Sequence, residues 1–177
     1  MILHETKIQG LYVIEPEVKV DERGYFMRTF CKNELAEKGL DFNIVQINRS
    51  LTKQKGVIRG MHFQEDPKAE IKIVSCSKGM IYDVAVDLRK NSSTFGQWIV
   101  TELSEKNKKL FYIPKGCAHG FQTMTENCET QYFMSEFYSP KYASGVRWND
   151  PFLNIFWPIE NPISSEQDKN WPLIKKN

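Results

Sequence analysis

Gly56-Val-Ile-Arg-Gly-Met-His-Phe-Gln64 is the stretch on which the reading of this chain turns. It is a short apolar run that carries Arg59 and His62 and is punctuated by two glycines, Gly56 and Gly60. A plain core strand has no use for either polar residue, and a glycine inside a strand weakens it unless the backbone bends or a ligand comes close. Strict alternation sends residues 59 and 62 to opposite faces, whereas a bulge at Gly60 brings both to one face. A surface arginine beside a hydrogen-bonded core histidine is the bland alternative. The two glycines favour a bent strand that lines a small-molecule site.

Outward from that run, residues 43 to 135 read as strand after strand, with turn signals about every 8–12 residues, the spacing of a sandwich or barrel. Lys72 alternates with Val74 and Cys76. Met80, Tyr82, Val84, Val86 and Leu88 make one apolar face, which leaves Asp83, Ala85 and Asp87 on the other. Thr130, Tyr132, Met134, Glu136 and Tyr138 share a parity, so a regular strand would aim Tyr132 and Tyr138 into one cavity. Before this block lie extended pieces at 11–14, 18–20 and 25–30, broken by Pro16 and by the turn Asp21-Glu-Arg-Gly24. One short helix is expected over 34–38, capped by Asn33 and ended by Gly39. The aromatic, Pro-rich tail ends in Ser164-Ser-Glu-Gln-Asp168, where either serine can cap a final helical turn that carries Asp168. The expectation is one domain over residues 1–177, all-β, with short peripheral helices.

The 177 residues suit one core, burying roughly 70% of the unfolded surface. A net charge of +2 is too small to imply a nucleic-acid partner. No apolar run reaches membrane-spanning length and the start lacks the layout of a signal peptide, so a cytoplasmic protein with no membrane association is expected. The four cysteines, Cys31, Cys76, Cys117 and Cys128, show no C-x-x-C pairing and are expected as free thiols.

Of three histidines, His4 falls in a start expected to fray. His119 sits in Ile113-Pro-Lys-Gly-Cys-Ala-His-Gly120, a turn-rich segment with glycines on either side. Cys117 beside it lacks an evident base to activate it. Lys72 in an apolar strand either faces solvent or, pointing inward, offers a cation to an oxyanion. Tyr132 reads equally as an amphipathic packing residue or as an acid. Asp168 can orient His62, although spacing alone does not pair them.

Taken together, Gly56 to Gln64, Asp83-Val-Ala-Val-Asp-Leu-Arg89 with Ser93-Thr-Phe-Gly-Gln-Trp98, Ile113 to Phe121, Tyr138-Ser-Pro with Gly145-Val-Arg-Trp-Asn-Asp-Pro151, and Ser165-Glu-Gln-Asp168 closely resemble the dTDP-4-dehydrorhamnose 3,5-epimerase family, in order and along essentially the whole chain. That resemblance implies a cupin-like jelly-roll barrel and a homodimer. It implies a cofactor-independent, metal-free epimerase that inverts carbons 3 and/or 5 of a nucleotide-linked 4-keto sugar, in deoxysugar or heptose biosynthesis for surface polysaccharide. It casts His62 as base, Asp168 as its holder, Lys72 as the cation beside the enolate and Tyr132 as acid on the opposite face. Arg59, His119 and Asp83 line the same cavity, and Tyr138 packs near the base. Arg23 and Phe26, in the N-terminal strands of residues 1–31, reach the nucleotide of the partner subunit. Gln46 and Asn48 complete the substrate-binding set together with Arg28.

The chemistry fits those roles. A proton next to a ketone is removable only if the enolate oxygen is stabilised, and inversion needs a donor on the other side. A neutral imidazole is a suitable base near neutral pH, and a carboxylate fixes its tautomer. Two departures stand out. Arg28 occupies a place where the family commonly has glutamate, which opens GDP beside dTDP as carrier, because a guanidinium suits guanine O6 and N7. Glu70 stands where glutamine is common. The rival readings are a metal-dependent cupin, which would want H-x-H where this chain has His62-Phe-Gln64, and a non-catalytic sugar-binding jelly roll.

Overall fold

The computed structural model describes residues 1–174. Thirteen strands and two short helices follow in order: β1 (Ile2–Glu5), β2 (Tyr12–Glu15), β3 (Val18–Asp21), β4 (Gly24–Met27), α1 (Lys32–Ala36), β5 (Gln46–Thr52), β6 (Ile58–Gln64), β7 (Lys72–Lys78), β8 (Met80–Asp87), β9 (Trp98–Ser104), β10 (Leu110–Ile113), β11 (Cys117–Thr123), β12 (Cys128–Met134), β13 (Ala143–Gly145) and α2 (Glu166–Asn170). One sheet runs β1-β2-β10-β7-β12-β5, a second runs β13-β6-β11-β8-β9, and β3 and β4 form a separate hairpin. The ladders within these sheets are antiparallel. This is the expected jelly roll, two sheets facing each other across one core.

Three apolar clusters explain why many strands are buried on both faces. Between the sheets lie Val74, Cys76, Phe111 and Ile113 from one side and Ile81, Ala85, Leu103, Cys117 and Phe121 from the other. Outside the six-stranded sheet, Ile73, Leu110, Tyr112 and Phe133 are covered by Leu35 of α1 and by Phe42. Outside the five-stranded sheet, Val84, Val86 and Ala118 are covered by Val146, Leu153 and Ile155 of the tail. The apolar face of β8 therefore packs beneath the tail, and Asp83 and Ala85 look into the sandwich. Alternation found that face correctly, but it cannot say which of two apolar layers a face meets.

Several local expectations are corrected. The helix occupies 32–36 rather than 34–38, and its N-cap is Cys31, with no side-chain cap, instead of Asn33. Leu35 is fully buried against the Phe42 cluster, so packing places this turn and overrides the capping preference. Strand β4 stops at Met27, because Phe30 turns back to meet Phe42 edge-on at 5.7 Å. The start does not fray: β1 pairs with β2, and His4 lies opposite Val13 with its Nε2 3.2 Å from Glu15.

The bulge anticipated at Gly60 is present. His119 faces His62, yet Phe121 faces Arg59, so two residues of β6 lie opposite the single Gly120. Gly60 has φ +141°, and a Cβ there would come within 2.5 Å of the Gly120 Cα. A Cβ at Gly120 would in turn lie 2.6 Å from the Met61 sulfur. Glycine on both strands lets the backbones touch and rotates Arg59 onto the face that carries His62.

Candidate active site

A cavity of about 670 Å³ opens between the sheets, lined by Asn48 and Ser50 of β5, Arg59 and His62 of β6, Lys72, His119, Tyr132 and Asp168, among others. An adjoining cavity of about 450 Å³ shares Asn48, His62 and Lys72 and adds Gln46, Gln64, Glu70, Tyr138 and Trp171. The two form neighbouring halves of one depression, with His62 and Lys72 on their common wall.

Asp168 reaches His62 through the tail. Ile163 bridges in parallel to Val57, and Ser165 then caps α2, its hydroxyl accepting from the Asp168 N–H at 3.1 Å. Asp168 Oδ1 comes to rest 2.5 Å from His62 Nε2, while Oδ2 accepts from the Gly60 N–H at 3.3 Å. Burial alone would raise the Asp168 carboxyl. The hydrogen bond and charge of His62, with the Gly60 and Ser165 contacts, outweigh it and hold the group below the ordinary carboxylate range. The imidazole is 44% exposed while its carboxylate partner is 5% exposed, so the ring is presented from a buried anchor.

Tyr132 comes from the other sheet. Its hydroxyl accepts from Thr130 Oγ1 at 3.1 Å, and Thr130 shares a 2.7 Å hydrogen bond with Ser50. Burial pushes the phenol up against the opposing pull of Thr130 and Ser50, so it keeps its own proton at neutral pH. Its ring meets His119 edge-on at 6.2 Å. His119 Nε2 lies 2.7 Å from Asp83 Oδ1. Asp83 is fully buried and stands behind His119, so it serves the wall of the cavity rather than its lining. Burial raises the Asp83 carboxyl more than His119 lowers it.

Lys72 points inward, resolving the two readings left open for it. Its Nζ sits 2.7 Å from Glu70 Oε1 and donates to the His62 carbonyl at 3.3 Å. Gln46 donates to Asn48 at 3.1 Å and accepts from the Tyr138 N–H at 3.2 Å. Tyr138 does not share the cavity of Tyr132, because β12 ends at Met134 and the parity breaks in the following turn.

Arg23, Phe26 and Arg28 line neither cavity of this chain. Arg23 pairs with Asp21 at 2.6 Å at the tip of the β3–β4 hairpin, and Phe26 of the same hairpin is 68% exposed. The Arg28 guanidinium is engaged by Glu34. Cys117 is buried and its thiol is pushed up to about 12 by burial and by Asp87, so it is no nucleophile near neutral pH. All four cysteines are free. Among the described residues, no group of three or more His, Cys, Asp or Glu could hold a metal ion. Gln64 spends its amide on the carbonyls of Lys68 and Phe137 and the N–H of Ser139. No helix among the described residues is long and apolar enough to cross a membrane.

Residue-by-residue reading missed Ser50, Gln167 and Trp171 as cavity residues and Thr130 as the hydroxyl behind Tyr132, and saw Glu70 only as a departure. The shared parity of Thr130 and Tyr132 was the one available signal for the hydroxyl pair. Trp171 packs edge-on to His62 at 6.1 Å, a contact that no spacing could indicate.

Comparison with known proteins identifies the family. Residues 5–176 match the model of the dTDP-4-dehydrorhamnose 3,5-epimerase family. The enzyme of that name from Methanothermobacter thermautotrophicus is 46% identical over 176 residues, 98% of this chain and 94% of the relative. A crystal structure of the Bacillus anthracis enzyme with TDP and pyrophosphate bound superposes with a TM-score of 0.95 at 42% identity, covering 98% of this chain and 99% of that one. The Legionella pneumophila enzyme in complex with dTDP-4-keto-L-rhamnose gives 0.92 at 39% identity, covering 97% and 92%. A full-length match to the family, on a fold that joins a histidine-aspartate pair to a buried lysine and a protonated tyrosine, shows that this chain is an isomerase belonging to the dTDP-4-dehydrorhamnose 3,5-epimerase family.

Proposed function

We propose that this chain epimerises a dTDP-linked 4-keto-6-deoxy sugar at the carbons flanking the ketone, by proton abstraction to an enolate and proton return from the other face. The observation that carries this reading is that His62 and Tyr132 approach one cavity from facing sheets, β6 and β12. A sugar ring between them has a base on one face and a proton donor on the other.

With the Nε2–H donated in a hydrogen bond to the Asp168 carboxylate, His62 keeps a lone pair on Nδ1 and takes the proton from carbon there. Negative charge then gathers on the ketone oxygen. Lys72 supplies the cation for it in a site largely removed from water, where such an interaction is strongest. Tyr132, which holds its proton at neutral pH, returns one from the far side. Arg59, His119, Gln46, Asn48 and Tyr138 hold the substrate, with Asp83 orienting His119.

Arg28 bears on the carrier. Its guanidinium is satisfied by Glu34, which counts against its reading guanine and leaves dTDP, the carrier named in the relatives, as the better supported choice. The chain further acts as a homodimer formed by one domain. The β3–β4 hairpin projects with Val18, Val20, Tyr25 and Phe26 all exposed, Val20 at 77%, an apolar surface that favours a second subunit. That arrangement would carry Arg23 and Phe26 to the neighbouring cavity. Incubation with dTDP-4-keto-6-deoxyglucose in deuterated water, followed by NMR, tests the reading. Deuterium should enter at carbon 3, carbon 5 or both with inversion; no exchange at either carbon would overturn it.

A further inference from the structure

Glu70 lies just before β7, and the side chains of Glu70 and Lys72 are 3% and 7% exposed, so the ion pair between them is largely shielded from solvent. Both carboxylate oxygens of Glu70 are in use as acceptors: Oε1 faces Lys72 Nζ at 2.7 Å, and Oε2 accepts from the Gln64 N–H at 2.9 Å. A glutamine could satisfy only one of the two donors, since its NH₂ would turn toward the other. On the lysine side, an ammonium has three N–H groups. One goes to Glu70 and one to the His62 carbonyl at 3.3 Å, which leaves one for the cavity that Lys72 lines.

We propose that Glu70 is a positioning residue: it holds the Lys72 ammonium on the wall beside His62 with a single N–H free for the ketone oxygen of the substrate. This rests on the epimerase reading above and adds to it the residue that sets where the cation stands. A buried ammonium without a counter-charge is costly and draws in water or turns away, whereas a clamped one meets the developing oxyanion without rearranging. The pair also leaves the wall electrically balanced before the enolate forms, so the site favours negative charge at one point rather than throughout the depression. Glu70 is therefore expected to matter for turnover and little for nucleotide affinity.

The test compares Glu70→Gln with the unmodified protein on dTDP-4-keto-6-deoxyglucose, with dTDP binding measured by calorimetry. Losing a charge-assisted hydrogen bond that acts in the transition state should lower kcat and solvent-deuterium entry together by roughly ten- to a hundredfold, with KM and dTDP affinity within about threefold. In a Lys72→Met background the same substitution should cause no further loss of kcat. A Glu70→Gln protein with full turnover, or one with the same loss in the Lys72→Met background, would overturn the proposal. If Glu70→Gln does not fold, Glu70→Asp keeps both acceptors one methylene short and is read the same way: kcat lowered with dTDP affinity retained supports the assignment, and unchanged kcat refutes it. Absence of exchange in the unmodified protein would instead count against the epimerase reading itself.

Discussion

Asp168 Oδ1 stands 2.5 Å from His62 Nε2 although 106 residues separate them in the chain. The approach is built by the backbone: Ile58 N–H donates to the Ile163 carbonyl at 2.8 Å, Ile163 N–H donates to Gly56 at 3.2 Å, and the Ser165 cap then starts the turn that carries Asp168. The tail is thus laid beside the Gly56–Gln64 strand. Gly60 serves the carboxylate as well as the bulge, since its N–H also donates to Asp168.

If His62 is the base, His62→Ala should retain the fold and lose at least about a hundredfold in turnover, the usual scale for general-base catalysis. Asp168→Asn tests the tautomer. An amide can donate to Nε2 where the carboxylate only accepts, so the wrong ring nitrogen would carry the proton. Deuterium entry at carbons 3 and 5 should slow in both variants, and exchange at the unmodified rate in His62→Ala would refute the assignment.

Tyr132 is expected to act after the proton has left. Tyr132→Phe removes the donor but leaves His62, Asp168 and Lys72 in place, so deprotonation should continue while inversion stops. Solvent deuterium should then appear with retained configuration, read by NMR coupling constants. Normal yields of inverted product from this variant would transfer the acid's role to water or another side chain.

How much of this was open to a reader of the sequence depends on which force placed each residue. The bulge at Gly60 and a serine cap ahead of Asp168 follow from local rules, because a glycine among strand residues or a serine before Glu-Gln-Asp has few uses, but those rules left Lys72 either inward or solvent-facing and did not choose between Ser164 and Ser165. The site's partners do not. Glu70 and Lys72 share a parity that any strand would give them, and only their burial makes the pair significant. Likewise Asn33 is the better cap by composition, yet the buried Leu35 decides where the turn lies. Parity also failed at Tyr138, where the strand ends and the turn is held by Gln46 and Gln64.

The carrier nucleotide can be read by calorimetry. With Arg28 held by Glu34, dTDP should bind more tightly than GDP by at least about tenfold, the scale of one good base contact. Arg28→Glu places like charges beside Glu34 and should loosen the segment after the hairpin without making GDP the better ligand. Tighter binding of GDP to the unmodified protein, weakened by Arg28→Glu, would restore a guanine-reading arginine.

Asp87 supplies a stability test apart from the chemistry. Its buried carboxylate accepts from Arg89 at 2.8 and 2.9 Å, from Ser92 at 2.6 Å and from Thr94 at 2.7 Å, and so organises the loop between β8 and β9. Burial would raise this carboxyl, but the hydrogen bonds from Arg89, Ser92 and Thr94 win and depress it far below the ordinary range. A carboxyl depressed in the folded state stabilises fully above its unfolded pKa of about 4, and the contribution fades as pH falls toward the folded value. Asp87→Asn should therefore cost about 2 kcal/mol at pH 7, a figure held down by the partial exposure of Arg89. Denaturant melts of the two proteins should converge as pH is lowered below about 4, since protonation removes from the unmodified chain what the substitution has already removed from the variant. A gap that stays constant down to pH 3 would show that the loop depends on the shape of this side chain and not on its charge.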